Sequence, residues 1–222
     1  MATQVKVNPN DPRVKRTRQL LKQALSDLLA QKPFQDITVQ DIADRATVNR
    51  VTFYAHFEDK YDLVSSVIRD GFVERLQAAL PPSSALSARS LHVLCRVVLE
   101  SLAEAHTQCR PADARYGPLF ESAVQEALYA FILDWLRQSS VIDPLPGVTT
   151  ESLAAAVSWT IFGAGIDWSR DRDGRSLNES VHEMVAVLTR GVSEVFRPDD
   201  RERQAPLHAV AVSSEETYGH TR

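Results

Sequence analysis

From Val14 onward, apolar residues return every three or four positions along nearly the whole chain. Val14, Leu21, Ala24, Leu25, Leu28 and Leu29 predict a first helix over about residues 14–31, stopped by Pro33. Val39, Ile42, Ala43 and Ala46 predict a short second helix. Thr38 and Asp41 suit its start, because a hydroxyl can accept a first-turn N–H and an acid suits the positive end of the helix dipole. Asn49 is a good N-cap for a third helix over about 50–56. Asp59 opens a fourth, where Val64, Ile68, Phe72, Leu76 and Leu80 form an i, i+4 stripe that Pro81 and Pro82 end. Further helices are predicted over about 88–107, 118–138, 149–169 and 177–196, separated by Pro- and Gly-containing breakers. No stretch keeps the period of two that marks a half-buried strand, so the expected class is all-α.

The third helix has an unusual side-chain distribution. Val48, Phe53 and Phe57 can form one buried face, which leaves Asn49, Arg50, Val51, Thr52, Tyr54 and His56 with no core to enter. A short, exposed, donor-rich helix after a tight turn suits the DNA major groove. There Arg50 can pair with guanine O6 and N7, Asn49 with adenine N6 and N7, and Val51 can meet a thymine methyl. Thr52, Tyr54 and His56 can donate to phosphate oxygens, which sets register without reading sequence.

The run TVQDIADRATVNRVTFYAHFEDK resembles the DNA-binding domain of the TetR family of bacterial transcriptional regulators. Thr38, Ile42, Ala43, Ala46, Val48, Thr52, Tyr54, His56, Phe57 and Lys60 match the family pattern at its fixed spacings. The resemblance implies an N-terminal three-helix helix-turn-helix domain joined by a connecting helix to a C-terminal helical ligand-binding and dimerisation domain. It implies phosphate contacts at Thr38, Tyr54 and Lys60, and base reading by Asn49, Arg50 and Thr52. Many members have glycine where this chain has Thr47 and Val51. A positive φ at position 47 would strain a threonine, and Val51 changes what faces the groove.

Charge sharpens the expectation. The net charge of −4 argues against a nucleic-acid partner, yet residues 1–60 carry 10 Lys+Arg against 7 Asp+Glu, leaving the rest of the chain strongly acidic. All five lysines lie in that first block, and Arg13, Lys15, Arg16 and Arg18 cluster at the start of the first helix. A basic head on an acidic body turns one end toward phosphate. The expected domains are an arm over 1–12, a DNA-binding head over 13–60, a regulatory and dimerisation body over 61–197, and a polar tail over 198–222. No apolar run approaches the roughly 20 residues that span a bilayer, and the N-terminus has no signal-like apolar stretch, so a cytoplasmic protein is expected.

The body offers two kinds of site. Leu153, Val157, Ile161, Ala164 and Trp168 form one stripe and Ala155, Trp159, Phe162 and Ile166 another, so residues 149–169 need partners on two faces. Two-fold pairing of this segment and residues 177–196 with their copies would give a four-helix interface. That homodimer would present two reading helices to a palindromic double-stranded DNA site. Aromatics between helices are either core or the lining of a small-molecule pocket. Tyr116, Phe120, Trp135, Trp159, Phe162 and Trp168 are the candidates for an effector of unknown identity.

Metal and cofactor chemistry has little support. His92–Cys95 and His106–Cys109 repeat an H-x-x-C, but fourteen residues on one helix separate the pairs by about 21 Å, too far to share an ion. No Gly-rich phosphate loop, G-x-S-x-G or HExxH occurs, which leaves a helical enzyme or a plain interaction protein as the alternative class. No metal and no cofactor are expected.

Overall fold

The computed structural model describes residues 11–81, 84, 87–108, 116–138, 147–170 and 175–190. The expectations for the arm over 1–10, Cys109, the end of the last helix beyond 190 and the tail lie outside the described residues, as does the side chain of His106.

Among the described residues the architecture is all-α. The helices are α1 (Pro12–Leu29), α2 (Val39–Arg45), α3 (Arg50–Tyr54), α4 (Lys60–Ala79), α5 (Ala88–Gln108), α6 (Tyr116–Gln138), α7 (Thr150–Arg170) and α8 (Leu177–Arg190), with a 3-10 turn at Phe34–Asp36 between α1 and α2. The described residues up to Val185 form one compact unit, and the last turn of α8 from Ala186 is grouped apart from it. The first helix opens two residues earlier than its apolar pattern predicts. Asp11 accepts the Arg13 N–H at 2.8 Å and Pro12 takes the first helical position, where its missing N–H costs nothing.

The head folds around Leu21 and Leu25 of α1, Ile37 and Ile42, Phe53 and Phe57, and Leu63 and Val64 of α4, all within one apolar cluster. Each such side chain contributes roughly 1.5–3 kcal/mol by leaving water. Because α4 supplies part of this core and also packs along α6, it belongs to the head and the body alike. Tyr116 and Leu119 at the start of α6 pack against the same cluster, so α6 also reaches the head.

In the body, α6 packs against α4 and α7, and α7 against α5. Helices α5 and α7 approach closely at Gly165, where a Cβ would come within 2.7 Å of Leu102 Cδ1. Of the two predicted stripes on α7, Ile161, Phe162 and Trp168 are buried, whereas Trp159 is 59% exposed and Ala164 lies open. Buried and open positions occur in both stripes, so neither is a face of its own: α7 packs against α5 and α6, and its open side carries Ala156, Trp159, Gly163 and Ala164.

Candidate nucleic-acid interface

The turn that sets α3 against α2 is a Schellman closure. The Val48 N–H donates to the Ala43 carbonyl at 2.9 Å and the Thr47 N–H to the Asp44 carbonyl at 3.1 Å. Such a closure needs a left-handed residue, and Thr47 adopts φ 56°. A β-branched residue pays for that conformation where glycine would not. Thr47→Gly is therefore expected to stabilise the protein by about 0.5–1 kcal/mol, the relief of strain exceeding the entropy that glycine adds to the unfolded chain. Urea unfolding checks it, and a destabilised variant would show that the threonine side chain contributes something its strain does not reveal.

Helix α2 begins with the expected capping box. Thr38 accepts the Asp41 N–H at 3.1 Å while the Asp41 carboxylate accepts both the Thr38 N–H and its hydroxyl at 2.8 Å. Lys32 Nζ donates to the same carboxylate at 2.9 Å. The Thr38 backbone N–H, Lys32 and the Thr38 hydroxyl together hold the Asp41 carboxyl down to about 2. The Thr38 hydroxyl, a phosphate donor by resemblance, is thus already donating within the chain.

Helix α3 is anchored from beneath by Phe53, which is 0% exposed, and followed by buried Phe57. Its outer face is open. Val51 is 76% exposed, and Arg50, Tyr54 and Asn49 are also exposed, while Thr52 is half-buried. Asn49 spends its carbonyl oxygen on the helix cap, accepting the Val51 N–H at 2.9 Å, and its amide N–H groups face no partner among the described residues. Arg50 lies along Tyr54, donating to its hydroxyl at 3.1 Å with the guanidinium 5.6 Å from the ring centre. This exposed contact is weak enough for a base edge to replace.

The basic cluster on α1 divides in two. Arg13, Lys15 and Arg16 are exposed without an ion pair among the described residues. Arg18 instead donates to the His56 carbonyl at 2.7 Å and lies 4.2 Å above the Phe57 ring, closing the C-terminal end of α3. Burial, and then the Arg18 charge, push the half-buried His56 imidazole below its usual range, so it is neutral at pH 7. A neutral His56 donates one hydrogen bond and brings no charge.

Lys60 is held within the chain. Its ammonium donates to the carbonyls of Phe34, Gln35 and Ile37 at 3.0, 3.1 and 2.7 Å, and lies 4.7 Å from the Phe34 ring centre. All three N–H donors of the ammonium are engaged by the 3-10 turn and its exit in this structure. Sequence spacing could not reveal this, because the three acceptors are backbone atoms more than 20 residues away.

Residues 21–67 match the sequence profile described as bacterial regulatory proteins, tetR family. This segment is a TetR-family DNA-binding domain. The uncharacterized HTH-type transcriptional regulator YxbF of Bacillus subtilis is 38% identical over 65 residues, which are 29% of this chain and 17% of that protein. DhaS of Lactococcus lactis, an HTH-type dhaKLM operon transcriptional activator, is 31% identical over 58 residues, or 26% of this chain and 31% of its own. The match thus spans less than a third of either relative's length. Among solved structures, RolR in complex with resorcinol covers 80% of this chain and 88% of its own at 14% identity, with a TM-score of 0.52. That likeness is one of fold, and it reaches over the helical body.

The six effector candidates lie at several places in the structure. Tyr116 packs on Phe34 of the head with ring centres 5.8 Å apart, Phe120 is half-buried on α6, and Phe162 and Trp168 are buried on α7. Trp159 faces outward, edge-on to Phe162 at 5.9 Å. Trp135 lines a cleft, with Phe131 beside it. Cys95 is buried, which pushes its thiol up to about 12. Among the described residues no three His, Cys, Asp or Glu side chains converge on a metal position, and no helix is long and apolar enough to cross a membrane.

Proposed function

We propose that the chain is a homodimeric transcriptional regulator that binds a palindromic operator and releases it when a small molecule occupies the helical body, which makes it a repressor. The observation that carries this reading is the exposed outer face of α3, with Arg50, Val51 and Tyr54 open above a buried Phe53. Asn49, Arg50, Val51 and Thr52 read base edges, while Tyr54, His56 and Thr38 meet phosphates, Thr38 by exchanging its Asp41 contact. Arg13, Lys15 and Arg16 add charge at the backbone. Lys60 acts from behind by holding the 3-10 turn in place.

Dimerisation is supported by the outward face of α7, where Trp159, Ala156, Gly163 and Ala164 are exposed. A copy packed on that face would bury the tryptophan and place two α3 helices on one side of a duplex, pairing about residues 149–169 and 177–196 with their counterparts. An effector then acts by preferring a state whose two heads no longer match the half-site spacing. Complete switching asks for a preference of about 5 kcal/mol.

Arg50→Ala is expected to lower specific affinity by roughly 1–3 kcal/mol and to relax base choice at one position in each half-site. Competition between single-base variants of the bound sequence, read by fluorescence anisotropy, measures this directly. An unchanged base preference would remove α3 as the reading element.

A further inference from the structure

A cleft of about 190 Å³ opens between the C-terminal ends of α4 and α6, lined by Gln77, Leu80, Pro81, Phe131, Asp134 and Trp135 among others. It is smaller than the roughly 300–1,000 Å³ of sites for drug-sized ligands, so its occupant has about one ring and a head group. No lysine or arginine lines it. Asp134 is exposed and has no ion pair among the described residues, and the nearby Arg137 guanidinium is taken by Glu151 at 2.8 Å.

The end of α4 adds to this polarity. The helix finishes with the Leu80 N–H donating to the Leu76 carbonyl at 2.7 Å, and the next two residues are Pro81 and Pro82. Neither proline has an N–H, so the Gln77 and Ala78 carbonyls lack their helical donors, and they add to the negative end of the α4 dipole. The aromatic wall is held in place. Trp135 is 8% exposed, its indole N–H donates to the Ser84 carbonyl at 2.9 Å, and its ring lies 6.3 Å from that of Phe131.

A carboxylate, a helix C-terminus and two aromatic rings each favour a cation, and together they disfavour an anion. We propose that this cleft binds a small arylammonium or alkylammonium ion, its positive head near Asp134 and the end of α4 and its apolar body against Phe131 and Trp135. For its consequence at DNA the proposal rests on the effector reading above. The binding itself does not. Because α4 and α6 both reach the core of the head, an ion held between their far ends has a route to it.

Calorimetric titration of the full chain without DNA tests the site, using benzyltrimethylammonium as probe, with benzyl alcohol as neutral control and phenylacetate as anionic control. The expected result is saturable binding of one cation per chain, at least tenfold weaker binding of the alcohol and none of phenylacetate. Asp134→Asn is expected to weaken the cation tenfold, about 1.4 kcal/mol, without moving the unfolding midpoint. Ala130→Leu, on an exposed lining position, is expected to abolish binding by filling the cleft. No saturation by the cation, equal binding of the alcohol, or an unaffected Asp134→Asn protein would each overturn the proposal. A parallel titration of the DNA complex separates the two readings. Binding without DNA release keeps the cleft and removes its effector role, whereas release that Asp134→Asn leaves unchanged overturns the cleft and keeps an effector elsewhere.

Discussion

Truncation of Phe53 to alanine is expected to cost about 3–5 kcal/mol and to unfold the DNA-binding head at ordinary temperatures. The side chain is 0% exposed, stands edge-on to Tyr54 at 5.4 Å and lies 6.0 Å from the Phe57 ring. It comes from a five-residue helix, too short to persist without tertiary packing. Removing the ring leaves a cavity beneath α3 that neither α2 nor α4 can close without leaving its own contacts. Chemical unfolding followed by circular dichroism gives the stability change, and amide exchange across residues 39–57 localises it. A loss below 1 kcal/mol would mean that α3 is held by something other than this core.

The second large effect is expected at Lys60. In Lys60→Met the apolar stem is kept and the ammonium is lost, leaving the Phe34, Gln35 and Ile37 carbonyls without their shared donor. Charged hydrogen bonds contribute about 1.5–3 kcal/mol each, but water reaches this half-buried site, so the expected cost is about 2–3 kcal/mol in all. At temperatures where the variant is folded, the slope of log affinity against log salt is expected to stay unchanged, because no phosphate contact is removed. A slope lower by about 1 would show that Lys60 leaves its carbonyls for a phosphate when DNA binds.

Much of the fold was legible because it rests on local signals. The apolar period, with the caps, located the start of every described helix and the ends of α1 to α7 within about two residues, and the capping pair at Thr38 and Asp41 formed as expected. The start of α1 slipped because Asp11 and Pro12 set it through capping chemistry, not through apolar spacing. Thr47 was legible as a conditional, strained only if its φ were positive, and the turn adopts that sign.

Less could be read wherever a residue's role depends on distant atoms. The pattern could place Lys60 at the start of α4 but could not see three backbone carbonyls converging on its ammonium. It grouped Arg18 with its basic neighbours, although Phe57 and the His56 carbonyl hold it inward. Aromatic residues on α6 and α7 read alike in sequence, yet Trp135 lines a cleft, Trp168 is core and Trp159 faces outward. Which face of one helix meets which face of another is decided by packing across the whole body.

Whether α3 reads DNA is decided by selecting bound sequences from a random duplex pool at fixed, near-physiological salt, with wild-type and Arg50→Ala proteins side by side. The expected result is a palindrome for the wild type whose half-sites lose definition at one position in the variant. Identical motifs from both proteins, or no enrichment by a folded wild-type dimer, would contradict it.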